Sequence, residues 1–146
     1  MYLLIDMSEQ DKIHLAVFDK IQIEHKYYTG RNRKLLVCID KLLKSSPLGK
    51  GGAARLPARQ GGLLSGIMVA VGTGSFTSTR VACVVANTFA YTLQIPLLAI
   101  KKEEIVKVQK LIKKFEACPA KPGGRRRGQY LSATYSGEPN LGPAKK

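Results

Sequence analysis

Two short turns hold the residue types best suited to chemistry. The first lies in GIMVAVGTGSFTSTR, residues 66–80, where an apolar run ends in Gly72-Thr73-Gly74-Ser75 and a helical pattern follows. Strand, glycine-rich turn and helix suit an anion: free N–H groups gather at the helix start, and glycine lets a phosphate approach the backbone. Gly72, Gly74, Ser75 and Thr77 are the candidate contacts. The string is not a P-loop, which needs a lysine before its last hydroxyl residue, and it lacks the third glycine of a dinucleotide fold. The same residues also suit a structural turn with a Ser/Thr helix cap. The second turn is Asp6-Met7-Ser8, closing the apolar run YLLID. A carboxylate and a hydroxyl at a strand's C-terminal end can hold a metal or a phosphate; a turn aspartate is the plainer reading. His14 and His25 lie in strand-like runs without a neighbouring nucleophile or ligand spacing, which assigns them structural or exposed places. No Ser-His-Asp arrangement can be assembled from local spacing.

These turns need elements to position them. Residues 2–6 read as a short strand, and residues 12–19 and 21–28 alternate as a hairpin turning at Asp19-Lys20. Residues 31–46 switch period: Leu35, Leu36, Ile39, Leu42 and Leu43 share one helical face, and Pro47 ends it. Residues 66–71 and 95–100 are continuous apolar strands of the kind covered on both faces. Residues 78–93 form a helix, apolar nearly all round, and residues 102–117 an amphipathic one with Ile105, Val108, Leu111, Ile112 and Phe115 inward. In the first of these helices we assign Val81, Val84 and Thr88 to the sheet, and the small residues Ala82, Cys83, Ala86 and Ala90 to an outer stripe open to another helix. The order β-β-β-α-β-α-β-α predicts an α/β sandwich with a mixed sheet. The predicted lobe comprises residues 1–46 and 65–117. Residues 47–64 read as a basic flexible insertion and residues 118–146 as a basic irregular tail.

The 146 residues suit one core, and their net charge of +14 is uneven. Residues 1–30 come to −2, residues 31–60 to +7, residues 61–100 to +1 and residues 101–146 to +8. A nearly neutral core edged by basic segments favours polyanions, RNA first. An aromatic share of 7% gives no clear base-stacking platform. Cys38, Cys83 and Cys118 form neither a disulfide framework nor a metal spacing and read as reduced thiols. No apolar run is long enough for a membrane span, and Asp6 interrupts the first one early, against a secretory leader. A cytoplasmic protein is expected.

LLIDMS followed by a hairpin, then residues 66–100, resembles the TsaB (YeaZ-like) family. That family reads Asp-Thr-Ser after its first strand, Gly-Pro-Gly-Ser-Phe-Thr-Gly-Leu-Arg before its long helix, and Tyr-x-x-Glu-Pro-Asn near its end. Here Met7 replaces the first threonine, Thr73 the proline, and Ser78-Thr79 the Gly-Leu before Arg80; the ending is matched by Tyr135, Glu138, Pro139 and Asn140. The likeness covers residues 1–46, 65–106 and 135–146. It implies one lobe of the actin-like, RNase H-like ATPase (ASKHA) fold, with the second lobe largely missing. It further implies a non-catalytic scaffold without a cofactor, pairing as a heterodimer with the paralogue TsaD, which modifies the tRNA adenosine beside the anticodon. TsaE, an ATPase, would join them, tRNA would be met through the complex, and a homodimer is conceivable. Asp6, Ser8, Gly72, Gly74, Ser75 and Thr77 would then be a vestigial phosphate loop, and Ala82, Cys83, Ala86 and Ala90 part of the partner interface. The alternatives are an ATP-binding, ATPase or kinase-like lobe of the same superfamily, and a small basic RNA-binding protein.

Overall fold

The computed structural model describes residues 1–30, 32–46, 64–72, 74–116 and 131–132. Strands β1 (Tyr2–Asp6), β2 (Lys12–Phe18) and β3 (Ile23–Thr29) form an antiparallel meander. Helix α1 (Leu35–Ser45), entered through a 3-10 turn at Asn32–Lys34, leads toward β4 (Gly66–Ala70). Helix α2 (Phe76–Leu93) connects β4 to β5 (Leu97–Ile100), and a 3-10 helix (Lys102–Lys107) runs into α3 (Val108–Glu116). The sheet order is β3-β2-β1-β4-β5, with β4 parallel to both β1 and β5.

Alternation along the strands sends side chains to two separate cores. Leu3, Ile5, Leu15, Val17, Ile67 and Val69 meet α1 and α2 on one face. Leu4, Ala16, Phe18, Met68 and Ala70 meet the 3-10 helix and α3 on the other. This is why β1 and β4 read as unbroken apolar runs: both faces are covered, as are those of β2, which reads as alternating. β3 is an edge strand and mostly exposed.

The mixed sheet with flanking helices agrees with the expected class, and the local differences have plain causes. The hairpin turns over four residues, because Asp19 Oδ1 accepts the Ile21 and Gln22 N–H groups at 2.7 Å each; Ile21 is left 86% exposed and β3 starts at Ile23. Helix α2 begins at Phe76, two residues early, because Ser75 caps it. One residue at the end of the predicted insertion and one in the middle of the predicted tail lie inside the packed lobe. Leu64 is buried in the α1/α2 core, and Leu131 packs against that core and exchanges two 2.9 Å hydrogen bonds with the Asn87 side chain on α2. Residues 47–63, 117–130 and 133–146, to which most of the insertion and tail assignments refer, lie outside the described residues, as does the side chain of Phe115.

Candidate functional site

Because β1 and β4 are parallel neighbours, their C-terminal ends bring the two candidate turns together. Gly72 and Gly74 adopt φ of +91° and +120°, values L side chains rarely take. A Cβ at Gly74 would stand 2.8 Å from Ser8 Cα and 3.1 Å from the Met7 and Ser8 carbonyl oxygens, so glycine is what lets the two turns press together. The polar atoms of the loop are largely spent internally. Ser75 Oγ accepts the Ser78 N–H at 3.2 Å and donates to Ser78 Oγ at 2.7 Å, and Ser78 Oγ donates to Asn32 Oδ1 at 3.0 Å. Thr79 bonds the Ser75 carbonyl through both its N–H and its hydroxyl. Thr77 is exposed. Thus Asp6, Ser8, Gly72 and Gly74 are brought to one place, Ser75 is committed to capping α2, and Thr77 stands apart in solvent.

Asp6 is 6% exposed, and Oδ1 accepts the Ser8 N–H at 2.9 Å in an Asx turn. Its Oδ2 faces His14 Nδ1 at 3.4 Å across the β1–β2 ladder. His14 Nε2 meets His25 Nδ1 on β3 at 2.9 Å, so one proton lies between the two rings. Tyr27, the cross-strand partner of His14, stacks on it with ring centres 4.4 Å apart and planes within 9°. Burial raises the Asp6 pKa, but the hydrogen bonds from His14 and the Ser8 amide, with His14's charge, more than offset this and hold the carboxyl below its ordinary value. Burial, then the charge of His14, pulls His25 down. Above this row opens a cleft of about 220 Å³ between Asp6, His14 and Tyr27 and the residues Lys102, Ile105 and Val106. The histidine row was missed in the sequence, where each histidine stands alone. Its signal was the hairpin register, which sets His14 between the Tyr27 and His25 positions.

The small-residue stripe of α2 requires a correction. Ala82 and Ala86 are fully buried and Cys83 is 3% exposed, all within the chain's own α1/α2 core; Ala90 is partly buried. Of the residues assigned to the sheet, Val84 is 63% exposed and Thr88 is exposed as well, while Val81, partly buried, does pack against that core. The faces are reversed because small side chains let α2 lie close on the sheet, and bulk is placed where space is unlimited. The outer side presents Phe76, Val84 and Tyr91, at 41%, 63% and 60% exposure. Arg80 lies 4.4 Å over the Phe76 ring.

Comparison with known proteins gives two findings. Residues 57–131 match the family model described as TsaD, tRNA N6-adenosine threonylcarbamoyltransferase. Among solved structures the chain is similar to YeaZ from Pseudomonas aeruginosa, with a TM-score of 0.55, 21% identity, and coverage of 77% of this chain and 49% of that one. A second structure, described as an uncharacterized protein with similarity to peptidase YEAZ from Pseudomonas aeruginosa, gives the same TM-score and identity, with 48% of its chain covered. The chain thus spans about half the length of these structures, and the likeness establishes an actin-like fold. No curated protein matches the sequence.

Proposed function

The chain belongs to the TsaD family of tRNA N6-adenosine threonylcarbamoyltransferases and carries a YeaZ-like lobe, and from this premise we propose that it is a non-catalytic scaffold of TsaB type that pairs with a TsaD protein. The observation that carries this reading is the outer face of α2. Phe76, Val84 and Tyr91 follow one another at eight and seven residues, on one side of the helix. On α1, on the same side of the sheet, Val37 is 54% exposed and so is Leu36 at 56%, against its expected place on the inward face, where Cys38 lies instead. Bulky apolar side chains in a row on two helices suit a helical partner. The non-catalytic part of the reading is supported by the 72–75 turn, where Ser75 and Ser78 serve the helix cap and Gly74 seats the turn against Ser8. In this role tRNA is met through the complex, with a TsaE-type ATPase as a further subunit, in the cytoplasm. No helix among the described residues is long and apolar enough to cross a membrane.

The test is co-purification with a TsaD protein, comparing the parent chain with Val84→Asp and Tyr91→Ala. Co-elution of the parent, lost in both variants at unchanged melting temperature, supports the pairing. A parent chain that elutes only as a homodimer through this face would overturn the heterodimer. Tight ATP binding by the isolated chain, measured by calorimetry, would overturn the scaffold assignment in favour of an ATPase or kinase-like lobe.

A further inference from the structure

The opposite face of the sheet carries a second surface that the pairing reading does not use. A cleft of about 320 Å³ opens between Lys20, at the β2–β3 turn, and Gln109, Lys110, Ile112 and Lys113 of α3. Gln109 Nε2 donates to the Asp19 carbonyl at 3.4 Å and ties helix to hairpin at its floor. The Asp19 carboxylate is turned into its own hairpin backbone, where it accepts two N–H groups. Lys107, Lys110 and Lys113 are exposed at three-residue spacing and form no ion pair among the described residues. By contrast, Lys12 and Lys102 share Glu9, and Lys44 pairs with Asp40.

One step earlier along the same segment lies the cleft of Tyr27 and Val106, whose lining also holds Asp6 and Glu9. Lys12 and Lys102 are both paired to Glu9, so among the described residues the free cations of this face are those of α3 and Lys107 just before it. Tyr27 is 70% exposed while one face of its ring is held against His14, so the ring is fixed in orientation with its other face open. From Ile23 to Tyr27, β3 spans about 13 Å alongside these clefts.

We propose that this face, between the β2–β3 hairpin and α3, binds single-stranded RNA: Lys107, Lys110 and Lys113 take the phosphates and Tyr27 is a stacking platform for a base. Unpaired cations attract the backbone, and a pre-oriented ring accepts any base without large ordering cost. The concavity argues against a lipid surface, which cannot enter a cleft, and the net charge of +14 supplies the long-range attraction. The choice of RNA over DNA rests on the family assignment; the groove itself does not, and it needs no partner protein.

The experiment is fluorescence anisotropy of the full chain with a short labelled single-stranded RNA, repeated over a range of salt. Three variants are compared: Lys110→Gln with Lys113→Gln; Lys41→Gln with Lys44→Gln on α1, which removes equal charge from the other face; and Tyr27→Leu. The α3 pair should lower the slope of log K against log salt by about 1.4, from two phosphate contacts at about 0.7 each, while the α1 pair leaves it unchanged. Tyr27→Leu should weaken binding about tenfold with the slope intact. Equal losses from the α3 and α1 pairs would show binding by overall charge and overturn the groove. Binding to phosphatidylserine vesicles without binding to RNA would overturn the ligand, and equal affinity for DNA of the same sequence would overturn the preference for RNA. Circular dichroism confirms that each variant keeps its fold. Because no TsaD is present, failure here leaves the co-purification test untouched.

Discussion

Single residues decide how the two turns meet. Gly74 is held at φ +120° with Ser8 backbone 2.8 Å from where a Cβ would stand, whereas Gly72, at φ +91°, faces open space. Gly74→Ala should therefore cost about 2 kcal/mol or more, and Gly72→Ala about 1 kcal/mol, in denaturant unfolding. An equal cost at the two sites would show that the Gly74 contact is not tight. His25 supplies a pH prediction. Its pKa is lowered on folding, so the unfolded chain takes up the proton first as pH falls. Stability from this group is full above its ordinary 6.5 and declines below it, through the lowered folded value. Asp6, also lowered, adds a separate loss only as pH falls below its ordinary 3.8. Thermal melts between pH 7 and pH 5, roughly the range of histidine titration, should slope downward for the parent and flatten in His25→Gln. A parallel slope in the variant would remove the histidine row from the account.

At the level of the element, α2 shows why an apolar helix is hard to orient from its sequence. Hydrophobicity alone favoured Val81, Val84 and Thr88 toward the sheet, yet the close approach of helix and sheet is set by Ala82, Cys83 and Ala86. Ala86→Leu should overfill that contact and cost about 1–3 kcal/mol, while Val84→Thr should change stability by less than about 0.5 kcal/mol. The reverse order in chemical denaturation would restore the original face assignment. The helix start was more legible: a serine before an apolar run is a cap signal, and Ser75 takes that part.

At the scale of the whole molecule, a long-range contact among the described residues joins a late stretch of chain to the lobe. Asn87 and the backbone of Leu131 exchange two hydrogen bonds across 44 residues. Asn87→Ala should cost about 1–2 kcal/mol and raise hydrogen exchange at the Leu131 amide toward that of free chain; continued protection would mean that packing alone holds it. Nothing local to Leu131 announces this anchor, since it depends on where α2 lies. The same division runs through the protein. Periodicity along the chain determined the strands, the helices and the two-faced burial of β4, and residue identities carried the motif likeness that led to the family, because these are properties of neighbours in sequence. β5, read as covered on both faces, is instead an edge strand with Ala99 exposed and Leu97 and Leu98 only partly buried. The side of α2 that faces inward, the union of Asp6 with His14 and His25, and the cleft that sets Lys20 beside Lys110 and Lys113 were decided by the tertiary structure. Each depends on strand register or on the distance between layers, and residues 8 to 90 positions apart acquire such relations only when the sheet is assembled.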